Sequence, residues 1–168
     1  LYVEDHSIDV PLDWRGLEPM LLAVGNTMRR GAMPAPIAGA PESIKLFYRV
    51  VCAPDRINDD LPLLLFLQGG PGGESPRPLS PTSDGWIEEA VKHFRVVLPD
   101  QRGTGRSSCV DGRTIAALGE RATAAGSDAA RSQADFLKRH LASSIVRDFE
   151  YLRLVGFGGR PWVTLGQS

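Results

Sequence analysis

The sequence is short of the features that mark several classes of protein. Its formal net charge is only -1, which gives no electrostatic footprint for nucleic acid or an anionic membrane surface. No apolar run approaches the roughly 18 residues that a membrane-spanning helix needs. Cysteine is scarce, and Cys52 and Cys109 fit no metal-ligand spacing. We therefore expect no nucleic-acid or membrane partner and no bound metal, and we expect both cysteines to be buried free thiols.

The start of the chain lacks the basic residues and long apolar core that are typical of a signal peptide. This absence favours a cytoplasmic location. Hydrophobic residues make up 42% of the sequence, which is enough to build a core and far from a disordered composition. A chain of 168 residues with this composition predicts one domain of ordinary size.

Apolar and polar residues that alternate, together with short apolar runs, predict five β-strands. The strands centre on residues 7–12, 44–52, 63–67, 95–99 and 162–165. Helical spacing of apolar residues predicts helices at 86–94 and 129–155, the second of which can divide at residues 142–144; residues 111–128 have weak helical character. Strand, helix and strand between residues 63 and 99 form a βαβ unit with a parallel crossover. The predicted class is α/β, with a mostly parallel central sheet and flanking helices.

Residues 15–43 interrupt this regular pattern. The stretch is rich in proline and glycine, contains all three methionines, and has no sustained periodicity. A long loop without secondary structure is uncommon in a compact domain and often carries function. We interpret it as a loop-rich insertion packed on the sheet edge, with a lid or an oligomer contact as the alternative.

A glycine-rich loop follows the apolar strand at residues 63–67 and reads QGGPGG over residues 68–73. Ligands of open α/β sheets bind at the carboxyl ends of the strands, and glycine brings bare backbone N–H groups close to them. The loop suits a phosphate or a transient oxyanion. A phosphate-binding loop would carry Lys-Ser or Lys-Thr, and a dinucleotide fingerprint would carry a third glycine before a helix. Neither is present, which favours the oxyanion.

Two further turns follow predicted strands. The first reads DQRGTGRS over residues 100–107, and the second reads GQS over residues 166–168. The second is the beginning of G-x-S-x-G, the sharp strand-to-helix turn that exposes a nucleophilic serine in α/β-hydrolases. In that fold one oxyanion N–H comes from the loop after an earlier strand, which is the position of Gly69 and Gly70.

Taken together, the three motifs resemble the proline iminopeptidases (prolyl aminopeptidases), which are serine peptidases of the α/β-hydrolase fold. The family patterns are H-G-G-P-G, D-Q-R-G-x-G-R-S and G-x-S-x-G-G. The second pattern matches this sequence at every fixed position, and the resemblance covers about residues 44–168. It implies hydrolysis of peptides with a free N-terminus, preferentially at an N-terminal proline, through an acyl-enzyme and without a cofactor.

The resemblance also implies roles for particular residues. Ser168 would be the nucleophile, and the amides of Gly70 and Gly69 would form the oxyanion hole. The residues that would shape the pocket are Gln68, Pro71, Asp100, Gln101, Arg102 and Gly103, with Arg102 mainly structural. Gln68 stands where the family usually has histidine, beside the oxyanion loop and outside the triad. The change can mark a branch of the family that acts on other N-terminal residues.

Triad order in this fold is serine, then the acid, then histidine. We therefore expect the acid and the base after Ser168, together with the cap domain, in the remainder of the same protein. Residues 1–168 are then the N-terminal portion of an α/β-hydrolase domain and inactive alone. His6 is interpreted as a rim residue, and His93 and His140 as surface residues.

The alternatives are an α/β-hydrolase esterase or amidase with a non-peptide substrate, and a truncated hydrolase-like module without catalysis. An aspartate at the nucleophile position would have favoured epoxide or haloalkane chemistry, and Ser168 counts against it. We also expect the strand that begins at Trp162 to form an exposed apolar edge in these residues.

Overall fold

The computed structural model describes most of the chain, with gaps around the predicted insertion and at a few loop positions. The described residues are 1–17, 19, 21–23, 25, 42–70, 72–80, 82 and 85–167. The predictions for residues 26–41 of the insertion, for Pro71 and for Ser168 lie outside the described residues.

The described part is a mixed α/β structure around one sheet of five strands. The strands are β1 (Tyr2–Pro11), β2 (Ser43–Cys52), β3 (Leu63–Leu67), β4 (Arg95–Pro99) and β5 (Trp162–Gly166). The helices are α1 (Gly85–Ala90), α2 (Gly112–Ala124), α3 (Ala129–Lys138) and α4 (Ala142–Gly156), with a short 3-10 turn at Pro54–Arg56.

The order of strands in the sheet is β1-β2-β4-β3-β5. β3 is parallel to both of its neighbours, β4 and β5, whereas β1–β2 and β2–β4 are antiparallel. The prediction of a mostly parallel sheet is therefore right only for the half around β3. The alternation over residues 7–12 predicted the first strand without indicating its direction, and the structure begins that strand earlier, at Tyr2.

Both faces of the parallel half are covered, because the apolar run of β3 is buried on both sides. Leu63 and Leu65 belong to a core cluster with Leu152 of α4, and Leu64 and Phe66 belong to a second cluster with Ile87 of α1. Helices therefore pack on opposite faces of the sheet, with β3 between them. The glycine-rich stretch begins directly after this buried strand.

The predicted helix at residues 129–155 is two helices, and the break lies at residues 139–141 rather than 142–144. The carbonyl oxygen of Arg139 accepts a hydrogen bond of 2.6 Å from the Arg102 guanidinium, so a tertiary contact replaces helix continuation there. The break changes the helical phase. Leu137 and Leu141, expected on the buried stripe, are therefore 47% and 58% exposed.

Two smaller expectations were wrong. Residues 112–124 form a regular helix, because the Asp111 carboxylate accepts from the Thr114 amide in a capping box that offsets the weak apolar pattern. Cys109 is exposed, while Cys52 is buried as expected.

Among the described residues, no helix is both long and apolar enough to cross a membrane.

Candidate active site

Two loops meet at one edge of the sheet, because β3 and β4 are adjacent and parallel. The loop after β3 contains the glycine-rich stretch and runs from Gln68 to Ser75, and we call it the glycine loop. The loop after β4 runs from Asp100 to Ser107, and we call it the second loop. The structure thus brings the predicted site residues at 68–70 beside those at 100–103.

The two loops are joined where they leave the sheet. The side-chain amide of Gln101 donates from Nε2 to the carbonyl oxygen of Gln68 over 2.8 Å. Gln101 is 7% exposed, so this hydrogen bond lies in a water-poor setting. The prediction that Gln101 shapes the site therefore has a geometric counterpart, because its amide fixes the first residue of the glycine loop.

Asp100 fixes the other end of the glycine loop. Its carboxylate is fully buried and accepts from the Ser75 amide at 3.0 Å and the Arg106 amide at 2.8 Å. The Arg77 guanidinium completes the set with an ion pair to the same carboxylate. One buried charge is thus compensated by donors from both loops, as a buried carboxylate requires.

Arg102 faces the core, and all five of its N–H donors find acceptors. It binds both carboxylate oxygens of Asp148 on α4 at 2.6 and 2.7 Å. It also donates to the carbonyl oxygens of Pro11, Leu12 and Arg139, at 2.9, 2.7 and 2.6 Å. Arg102 therefore joins the second loop to the end of β1, the end of α3 and the middle of α4. These contacts support the structural role predicted for Arg102.

Asp148 is the carboxylate that balances the charge of Arg102. It is fully buried, and the Trp14 indole also donates to it over 2.7 Å. Burial raises the pKa of the Asp148 carboxyl, and the hydrogen bonds from Arg102 and Trp14 oppose that shift. The sequence did not single out Asp148 or Trp14, because an aspartate in a helix and a tryptophan in a loop carry no pattern that reveals a partner far along the chain.

The third predicted turn follows β5, which pairs with β3 in parallel register, with Gly166 opposite Leu67. The amide of Gln167 donates to the carbonyl oxygen of Leu67 over 3.3 Å. The chain after β5 thus leaves the sheet beside the start of the glycine loop. In that loop Gly70 has φ 113°, a left-handed conformation that favours glycine.

His140 was interpreted as a surface residue, and the structure corrects this. It is half-buried beside the second loop, where a Cβ built on Gly103 would lie 3.3 Å from the His140 ring, and the ring also packs on Phe136. Burial lowers the pKa of His140. The ring lines a cavity of about 170 Å³ with Gly72, Gln101 and Gly103. The break between α3 and α4 turns it inward, which a helical wheel drawn through residues 129–155 does not show.

The other two histidines are exposed, and neither lines the cavity beside His140. His6 is exposed and stacks on Tyr48, as a rim residue does, and exposed His93 faces Glu89 at 3.2 Å. Within the described ranges no group of three or more His, Cys, Asp and Glu residues could hold a metal ion. The arrangement therefore combines backbone N–H donors in the glycine loop with two buried and paired carboxylates, Asp100 and Asp148, that hold the neighbouring second loop.

These features define a class: a mixed α/β protein with glycine-bearing loops at the carboxyl ends of its parallel strands. The chain is 46% identical over 127 residues to a proline iminopeptidase of Aeromonas sobria, which covers 76% of this chain and 27% of that protein. It is 37% identical over 113 residues to the proline iminopeptidase aneH of Aspergillus aculeatus, which covers 66% of this chain and 22% of that protein.

These identities confirm the resemblance drawn from the motifs, and the chain is related to the proline iminopeptidase family. The chain spans about a quarter of the length of the curated relatives that it matches. No protein-family profile matches it.

Proposed function

We propose that this chain supplies the nucleophile and the oxyanion loop of a serine aminopeptidase that releases N-terminal residues from peptides, proline preferentially. Ser168 passes its hydroxyl proton to the base and attacks the first carbonyl carbon of the peptide, and the amides of Gly69 and Gly70 stabilise the oxyanion that develops. The peptide C–N bond then breaks, the shortened peptide leaves with the proton on its new amino terminus, and the first residue stays on Ser168 as an ester. Water then releases the N-terminal residue. The names of the two relatives support the substrate, and the site geometry supports the chemistry.

The observation that carries the proposal is the pairing of β5 with β3. Gly166 lies opposite Leu67, and the Gln167 amide binds the Leu67 carbonyl. The next residue on one strand is Ser168, and the next residues on the other are Gln68 and Gly69. A nucleophile and amide donors that leave neighbouring parallel strands can act on one carbonyl group, which is the arrangement of an α/β-hydrolase.

The fold proposed for the whole catalytic domain is the α/β-hydrolase fold. Residues 1–168 would form its N-terminal part, and the catalytic acid and base would come from a further segment of the same protein, as would the cap. Serine needs a base to accept its proton. Residues 1–168 alone are therefore expected not to hydrolyse peptides.

The substrate is tested with the full protein and a panel of arylamides. Prolyl arylamide is compared with alanyl arylamide and with N-acetylprolyl arylamide, which differs from the first only in its blocked amino group. The proposal predicts the highest kcat/KM for the prolyl compound and no turnover of the acetylated one. Hydrolysis of simple aryl esters without turnover of any aminoacyl arylamide would support the esterase alternative and contradict the proposal.

A further inference from the structure

The glycine loop has almost no side chains of its own to hold it. Between Gln68 and Ser75 the described residues are four glycines and Glu74, which is exposed. Gly70 and Gly72 have φ values of 113° and 137°, in the region that other residues rarely adopt. Glycine has the most conformational freedom to lose on folding. The direction in which the loop N–H groups point therefore depends on how the two ends of the loop are held.

The second end is held by Ser75, which is 1% exposed. Its amide donates to Asp100 Oδ1 at 3.0 Å, and its hydroxyl donates to the carbonyl oxygen of Pro99 at 2.5 Å. Pro99 is the last residue of β4, so the hydroxyl ties the loop to the rigid end of a strand. Ser75 is thus anchored through both its backbone and its side chain.

Arg77 secures the same anchor from outside. Its guanidinium pairs with the Asp100 carboxylate, donates to the Ser75 carbonyl oxygen at 2.8 Å, and lies 5.0 Å from the centre of the Phe47 ring. Without Arg77 the buried Asp100 would keep only neutral donors, and an unpaired buried charge is strongly unfavourable. Arg77 therefore fixes both the acceptor of the Ser75 amide and the Ser75 carbonyl.

We propose that Ser75 and Arg77 are positioning residues for the oxyanion loop: they hold its far end to Pro99 of β4 and to Asp100 of the second loop, while Gln101 holds its near end. The inference rests on the proposed function, because it assigns their effect to the direction of the Gly69 and Gly70 amides. Oxyanion donors act only within a narrow range of distance, and a displacement of about 1 Å can cost a hundredfold in rate. The two residues would then affect the chemical step more than substrate binding.

The first test uses Ser75→Ala in the full protein, with Ser127→Ala as the matched control, because Ser127 is exposed in the turn after α2. On prolyl arylamide we expect Ser75→Ala to lower kcat about tenfold to a hundredfold with KM within about twofold of wild type. Ser127→Ala should leave both constants unchanged. Arg77→Met should lower kcat similarly. Arg77→Lys should lower kcat less, because lysine keeps a positive charge beside the Asp100 carboxylate.

A second measurement does not need activity. Hydrogen exchange followed by mass spectrometry reports how firmly the amides of residues 68–75 are held. Ser75→Ala should speed their exchange, and Ser127→Ala should not. If the wild-type protein has no peptidase activity, the proposed function fails while faster exchange still supports the anchor. Unchanged exchange, or faster exchange with an unchanged kcat in an active enzyme, would overturn the positioning role.

Discussion

Arg102 and Asp148 form a two-bond ion pair in which neither side chain is exposed. The two residues lie on different elements, and their pairing joins the second loop to α4. Because the guanidinium also binds three backbone carbonyls, this pair is a junction for β1, α3 and α4. The position of the second loop, and through Gln101 that of the glycine loop, depends on it.

Removing the acid of this pair should destabilise the protein strongly. Asp148→Ala leaves a buried guanidinium without its counter-charge, and we expect the free energy of unfolding to fall by about 3–5 kcal/mol. Urea unfolding followed by circular dichroism measures it. Asp135→Ala is the control, because the Asp135–Lys138 pair is exposed and solvent screens its charges, so its loss should cost far less. Equal losses for the two variants would mean that the buried pair is not a structural junction.

Gly105 in the second loop should not accept a side chain. Its φ is +52°, and a Cβ placed there would overlap the Asp100 carboxylate. Gly105→Ala should therefore displace Asp100 from the Ser75 amide and lower both stability and kcat. Gly126→Ala is the matched control, because Gly126 also has a positive φ, of +72°, but has nothing within 4 Å of a Cβ.

The control substitution should cost only the backbone strain, about 1–2 kcal/mol, and leave kcat unchanged. Thermal melting and arylamide kinetics on the two variants separate the effects. A Gly105→Ala protein with the stability and kcat of Gly126→Ala would show that the contact with Asp100 is unimportant.

His140 should make stability depend on pH. Burial lowers its pKa in the folded protein, and the nearby Arg102 and Arg139 charges lower it further, while the Phe136 carbonyl and Asp148 oppose this. The unfolded chain then binds the proton more readily than the folded one, so this contribution is present above a pH of about 6.5 and is lost as pH falls below it. The slope cannot exceed about 1.4 kcal/mol per pH unit for one proton.

Urea unfolding at several pH values between 7.5 and 5 measures this dependence. His140→Gln should flatten the curve over that range, because it removes the half-buried imidazole that would otherwise take up a proton on unfolding. A His140→Gln protein with the wild-type slope would place the source of the pH dependence elsewhere.

The edge of the sheet at β5 should promote association of a polypeptide that ends at residue 168. β5 is the last strand in the described sheet, and its Val163 and Leu165 are 52% and 37% exposed. An exposed apolar edge strand pairs readily with another chain. Val163→Lys should reduce association, while Val146→Lys, on the 65% exposed residue of α4, should not. Light scattering across protein concentrations tests this, and a monomeric wild-type polypeptide at all concentrations would contradict it.

The parts of the structure that sequence predicts well are local. The uninterrupted apolar run of β3 indicated a doubly buried strand, and the glycines after it indicated a backbone site, because both signals lie within a few neighbouring residues. The βαβ unit of β3, α1 and β4 followed from the same kind of signal. The motif of the second loop was recognisable from its residues, although what each residue binds was not.

The parts that sequence did not reveal depend on contacts far along the chain. The break between α3 and α4 lies where the Arg139 carbonyl binds Arg102, 37 residues away, and local propensity carries no trace of that bond. Ser75 and Arg77 looked like ordinary members of a Pro/Ser-rich loop, because their partner Asp100 lies in the second loop, after the next strand. The antiparallel half of the sheet was missed because alternation shows that a strand exists and not which way its neighbour runs.

The most direct test of the account is the effect of Ser168→Ala on hydrolysis of prolyl arylamide by the full protein. If Ser168 is the nucleophile, kcat/KM should fall by at least about a thousandfold, while Ser127→Ala keeps the wild-type value. The folded state of both variants is checked by thermal melting. A Ser168→Ala protein that melts like wild type and retains most of its kcat/KM would contradict the central claim.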